Sequence, residues 1–193
     1  ALDYANNHNE FFLNELIDFL KIESVSSDPS RIDQVAKAAE WLAKKLVSIG
    51  MENVEIMPTA LHPVVFGEYG HDPVKPTILI YGHYDVQPED PVNLWDSAPF
   101  EGTVRANRLF ARGATDMKGQ VLAGISAIES ILKVGDELPL NVKFIYEGEE
   151  EIGSPSIQPF LKEHKDRFNA DVVLNLDAGI VNAETPSITT VLR

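Results

Sequence analysis

The chain has 193 residues, 44% of them hydrophobic, which suits one compact domain with a real core and leaves no room for two complete ones. Its 30 acidic and 16 basic residues give a formal net charge of −14, which argues against nucleic acid or an anionic membrane surface as a partner. There is no cysteine, so no disulfide framework exists, any metal site must use His and carboxylate ligands, and the composition suits a cytoplasmic protein.

The first residues, ALDYANNHNEFF, lack a basic segment followed by an apolar core and a cleavage site. No apolar run approaches the roughly 18 residues of a membrane span, so a soluble chain is expected. Phe11, Phe12, Leu16, Phe19 and Leu20 recur at helical spacing and predict an amphipathic helix over residues 8–23, ending in the polar turn SVSSDPS. A second helix is predicted over 31–49, with Ser30 as its N-cap, Val35, Ala38, Ala39, Leu42, Leu46 and Ile49 on one face, and Gly50 as its stop. NVEIM (53–57), PVVFGEY (63–69) and TILIY (77–81) read as strands. Alternation through GTVRANRLFARG (102–113) predicts a hairpin around Ala106 and Asn107, and VLAGISAIESILK (121–133) a helix. VKFIY (142–146) and DVVLNL (171–176) are further apolar runs on either side of a helix near 155–165. Strands apolar on both faces and alternating with helices imply an α/β three-layer sandwich with a largely parallel central sheet flanked by helices.

In such a sheet ligands gather beyond the carboxyl ends of the strands. Gly82-His83-Tyr84-Asp85 follows TILIY, Glu147-Gly148-Glu149-Glu150-Glu151 follows VKFIY, Asp177 follows DVVLNL, and Arg112-Gly113-Ala114-Thr115-Asp116 follows the hairpin and opens a helix. Four segments thus deliver one imidazole and several carboxylates to one edge. Carboxylates converging without matching Lys or Arg repel one another and call for a cation. One His with several oxygens fits Zn²⁺, Mn²⁺ or Co²⁺ better than a Ca²⁺ cage. Taken singly, each signal has a plainer reading: a polar pair at a strand end, a solvated acidic loop, a helix N-cap at Asp116. Their shared position in the topology is what favours a metal site.

The stretches GHYDVQP (82–88), ARGATDMKG (111–119), EGEEEIGS (147–154) and the Asp of NLD (175–177) resemble, in order and spacing, the co-catalytic zinc peptidases and amidohydrolases. That family includes carnosinase-type dipeptidases, acetylornithine deacetylase, succinyl-diaminopimelate desuccinylase, aminoacylase and glutamate carboxypeptidases. IESVSSDP (22–29) and LWDSAPFEGTV (94–104) extend the likeness over most of the chain. The resemblance implies two divalent metal ions, zinc or else manganese or cobalt. His83 and Asp177 would bind the first, Glu151 the second, and Asp116 would bridge them. Glu150 would be the general base, and Asp85 would orient the imidazole of His83. Glu149 is expected to be solvated and Glu147 structural, and the family commonly carries a cis peptide after its bridging Asp, here Asp116–Met117.

Family members continue through an inserted dimerisation and lid domain and a C-terminal part of the catalytic domain that supplies a further histidine ligand. The present chain ends in SITTVLR about where that insertion would start, and His8, His62, His71 and His164 match no ligand motif, so all four are expected to be structural or surface residues. Residues 1–193 are therefore expected to form the N-terminal part of a catalytic domain, weakly active alone, with apolar surface left uncovered and a parent that is a homodimer through the missing domain. The resemblance implies hydrolysis of the amide bond of dipeptides or short peptides. The alternatives are an N-acyl amino acid amidohydrolase using the same metals and base, and a non-catalytic metal-binding module. A calcium-binding protein is disfavoured because no Asp-rich loop with the required spacing is present.

Overall fold

The computed structural model describes residues 1–135, 138–182, 185 and 187, so most of the terminal SITTVLR lies outside the described residues. In chain order the elements are α1 (Leu2–Asn7), α2 (Asn9–Leu20), α3 (Ile32–Ser48), β1 (Glu52–Met57), β2 (Val64–Tyr69), β3 (Thr77–His83), β4 (Thr103–Arg105), β5 (Arg108–Phe110), α4 (Lys118–Lys133), β6 (Asn141–Glu147), α5 (Ile157–Glu163) and β7 (Val172–Asn175).

The helix expected over 8–23 is α2, and a further short helix, α1, lies ahead of it. His8 leaves helical geometry (φ −116°, ψ 16°), its ring stacks on Tyr4, and α2 begins at the next residue. Ser30 is not an N-cap: the side chain of Asp28 accepts from Ser30 N at the start of a 3₁₀ turn, Pro29–Arg31, which runs directly into α3. The apolar face of α3 is as expected, with Val35, Ala38, Ala39, Leu42 and Leu46 fully buried and Ile49 nearly so. Burying each of the larger aliphatic side chains contributes about 1.5–3 kcal/mol. Gly50 (φ +90°) ends the helix in the left-handed region that suits a residue without Cβ.

The main sheet has the order β1-β2-β6-β3-β7. β6, β3 and β7 are parallel; β2 is antiparallel to both β6 and β1, so β1 runs with the other three and four of five strands share a direction. One face packs Phe19, Leu42, Leu46, Val121 and Ile125 of α2, α3 and α4 against Val65, Ile80, Val142, Phe144 and Tyr146. The opposite face packs Phe160 of α5 and Phe168 against Met57, Val64, Phe66, Leu79 and Ile145. Alternate residues of β2 and β6 therefore face different layers, which is why Val64-Val65-Phe66 and Phe144-Ile145-Tyr146 are apolar at consecutive positions. The expected three-layer α/β sandwich is the observed one. The hairpin turn also falls at Ala106 (φ 48°) and Asn107 (φ 59°), both left-handed as a two-residue turn requires.

Two buried cations tie the helices. Lys45 Nζ lies 2.6 Å from Glu15 and 2.7 Å from Glu129, joining α3 to α2 and α4. Lys118 Nζ donates to Ile22 O at 2.6 Å and Phe19 O at 3.2 Å, so the first residue of α4 caps the carbonyl end of α2. Complete burial pulls the Lys118 pKa down to about 7.

A candidate metal centre at the switch point of the sheet

β3 is followed through α4 by β6 on one side of it, and β6 is followed through α5 by β7 on the other, with α4 and α5 on opposite faces. The carboxyl ends of β3, β6 and β7 thus border the crevice that a reversal of strand order creates. His83 closes β3 and pairs with Glu147, which closes β6. The exit of β3 is held from behind by the segment IESVSS: Ser24 Oγ donates to Tyr84 O at 2.7 Å, Val86 N donates to Ser24 O at 3.0 Å, and Val25 bridges Val86.

The imidazole of His83 is fully buried. Its Nδ1 lies 3.0 Å from the carbonyl oxygen of Asp85 and 3.4 Å from the Asp85 carboxylate. A carbonyl can only accept, so in the neutral ring Nδ1 carries the proton and Nε2 presents its lone pair to the crevice. Around Nε2 stand Asp116 Oδ1 at 3.2 Å, Glu150 Oε2 at 3.7 Å and Asp177 Oδ2 at 3.9 Å. Ligand atoms of His83, Asp116 and Glu151 lie within 4.8 Å of one another, and so do those of His83, Glu150 and Asp177. All five side chains singled out as donors or base are therefore brought together, from four segments. The peptide Asp116–Met117 is cis.

Asp85 is buried and does more than face the imidazole. Its Oδ1 accepts from Glu150 N at 3.2 Å and its Oδ2 from Glu151 N at 3.1 Å, so one carboxylate fixes the backbone of both glutamates. Glu149 corrects the expectation that it is solvated. It is 2% exposed, its Oε1 accepts from His62 N (2.8 Å) and Thr59 Oγ1 (3.0 Å), and its Oε2 accepts from Ser156 N (3.0 Å). The 3₁₀ turn Glu150–Ile152 lets adjacent residues point in unlike directions, sending Glu149 into the protein and its neighbours into the crevice. Glu147 accepts from Tyr81 Oη (2.6 Å) and Ser154 Oγ (3.0 Å), a structural role as expected. His62 is buried against Ser26 O, His71 pairs with Glu52, and His164 packs on Phe160.

The electrostatics follow from crowding. Burial, then the charges of Asp177, Asp85 and Asp116, raise the Glu150 pKa against the opposing pull of His83. Burial also raises that of Glu151, with a hydrogen bond from Gln87 acting the other way. Burial disfavours the His83 imidazolium, but the hydrogen bonds and charge of Asp85 and the charge of Glu150 prevail and bring its pKa up to about 9. Among the described residues no Lys or Arg forms an ion pair with Asp116, Glu150, Glu151 or Asp177. One imidazole and four carboxylates without a Lys or Arg partner among the described residues fit a divalent cation of the Zn²⁺, Mn²⁺ or Co²⁺ kind, with His83 Nε2 and carboxylate oxygens as candidate ligands. A cleft of about 730 Å³, lined by Trp95, Arg105, Phe110, Thr115 and Ile180 among others, runs beside Asp116 without including the donors.

Fold and donor set define an α/β domain with a candidate divalent-cation site at its switch point. The chain belongs to Peptidase family M20/M25/M40, which residues 79–190 match. Among its relatives, the Beta-Ala-His dipeptidase of Homo sapiens is 35% identical over 203 residues, 98% of this chain and 40% of that protein. The Cys-Gly metallodipeptidase dug1 of Schizosaccharomyces pombe is 34% identical over 194 residues, 94% of this chain and 41% of that protein. The crystal structure of an M20 family metallo-carboxypeptidase from Sulfolobus solfataricus superposes with a TM-score of 0.80 and 40% identity, over 88% of this chain and 38% of the other. The chain thus spans about two fifths of the length of the curated relatives it matches. No helix among the described residues is long and apolar enough to cross a membrane.

Proposed function

We propose that this domain supplies most of a two-zinc centre that hydrolyses the amide bond of dipeptides or short peptides. In this reading His83 and Asp177 would hold one ion and Glu151 the other, and Asp116 would be shared between them. The observation that carries it is the placing of Glu150 beside the donors, its Oε2 3.7 Å from His83 Nε2 and its carboxylate, like that of Asp177, in no hydrogen bond with another described residue. When bound, the ions polarise the scissile carbonyl and make water acidic enough to lose a proton near neutral pH. Glu150 takes that proton and returns it to the leaving nitrogen, and its raised pKa moves it toward the working range of a general base. Asp85 holds His83 in the tautomer that ligates and fixes the backbone from which Glu150 and Glu151 project.

The dipeptidase reading ranks above N-acyl amino acid hydrolysis because the relatives named above at 34% and 35% identity are dipeptidases by name. Rates on dipeptides against N-acetyl amino acids, measured on the natural protein, separate the two. Residues 1–193 are read as the N-terminal part of the catalytic domain, with a lid and dimerisation domain and one more histidine ligand outside them; the 40–41% coverage of those relatives supports this. Glu150→Gln is expected to lower kcat by about 10²–10⁴ while metal uptake stays. Unchanged turnover would remove Glu150 from the mechanism, and lost turnover with lost metal would recast it as a ligand.

A further inference from the structure

Gln87, four residues beyond His83, makes three contacts with one residue on the opposite wall of the crevice. Its backbone N donates to Glu151 Oε1 at 3.2 Å. Its side-chain amide donates to Glu151 Oε2 at 2.7 Å and to the Glu151 carbonyl at 3.2 Å. Together with Asp85, which takes the backbone N–H groups of Glu150 and Glu151, the exit of β3 grips the glutamate turn by both its backbone and one of its side chains. The two adjacent glutamates fall into different donor groups, Glu151 with His83 and Asp116, Glu150 with His83 and Asp177. Something must keep them apart, because a glutamate side chain is flexible and both face the same imidazole. A primary amide suits this role because it supplies donors without a charge. It orients a carboxylate and leaves the negative charge to a cation, which Lys or Arg in its place would not.

We infer that Gln87 is a positioning residue that holds the Glu151 carboxylate on the Asp116 side of the cluster and so keeps the second cation position distinct from the first. This rests on the two-ion reading above. Gln87 touches neither reacting atoms nor, in this assignment, a metal; it acts through Glu151.

The test is a Co²⁺ titration of the natural protein followed by visible absorption, comparing the unaltered chain with Gln87→Met, which keeps length and loses both side-chain donors. The expected result is that the tighter equivalent keeps its affinity while the weaker binds about 10- to 100-fold less tightly, with kcat recovering in excess metal and KM unchanged. Gln87→Glu, which sets a like charge against Glu151, should weaken the same equivalent further. Gln87 is exposed, so the metal-free variant should melt within about 2 °C of the unaltered protein. A larger fall would make its role structural and overturn the inference, as would two equivalents that are both unchanged or both weakened alike. If the unaltered protein takes up fewer than two equivalents, the two-ion reading fails and the inference falls with it. If it takes up two and Gln87→Met does not separate them, the assignment of Gln87 alone fails.

Discussion

His83 is a fully buried imidazole that, without metal, keeps its proton up to about pH 9, because burial is outweighed by the hydrogen bonds and charge of Asp85 and the charge of Glu150. A cation at Nε2 must displace that proton. The sign follows: below pH 9 proton and metal compete, so affinity should rise with pH, by up to about tenfold per unit, and level off near the raised pKa. Calorimetric titrations at about pH 7.5 in two buffers of different ionisation enthalpy should show about one proton released per ion bound at His83; none released would mean that the ring is already neutral. At this scale the sequence was legible where a residue's place in the topology fixes where its side chain arrives. His83, Asp116, Glu150, Glu151 and Asp177 each follow a strand or open a helix, and all five arrive at one crevice. Glu149 was not legible, because three consecutive acids look alike until the turn geometry sends one inward to His62 N and Ser156 N. Gln87 was missed for a like reason: its partner is 64 residues away, and no local pattern marks an amide that will meet a carboxylate across a crevice.

The glutamate turn depends on the elements beneath it. Tyr84, fully buried, lies against Gly148 so closely that a Cβ there would sit 2.5 Å from the tyrosine oxygen and 2.6 Å from its ring carbon. Tyr84 Oη also donates to Pro63 O, so it has little room to retreat. Gly148→Ala should therefore destabilise the protein by about 1–3 kcal/mol and disturb metal uptake, measured by urea unfolding and by titration; stability and uptake both unchanged would show that the Tyr84 ring gives way. Periodicity foretold the buried face of α3, since 17 residues give the helical repeat room to show, and alternation around Ala106 and Asn107 marked the hairpin. It did not foretell α1, because six residues with none buried give the helical repeat no room to show. Nor did it foretell that β2 runs antiparallel between β1 and β6, because a strand buried on both faces reads the same in either pairing.

For the molecule as a whole, β7 forms one margin of the main sheet, pairing with β3 and leaving Val172 (57%) and Val173 (63%) exposed. An apolar edge with no partner strand among the described residues invites another strand. The 193-residue chain by itself should associate as its concentration rises in sedimentation velocity, and Val173→Lys should shift it toward monomer; a chain monomeric throughout would show the edge to be blunted already. The pairing of His83 with Glu147 also divides the gene into stretches of unequal tolerance. Residues 71–74 are exposed and lie outside the strands, so an added codon there lengthens a loop and leaves the alignment of β3 on β6 intact. One codon added between Thr77 and His83 would turn the imidazole to the opposite face of the sheet, with every residue identity preserved and the crevice left without its nitrogen.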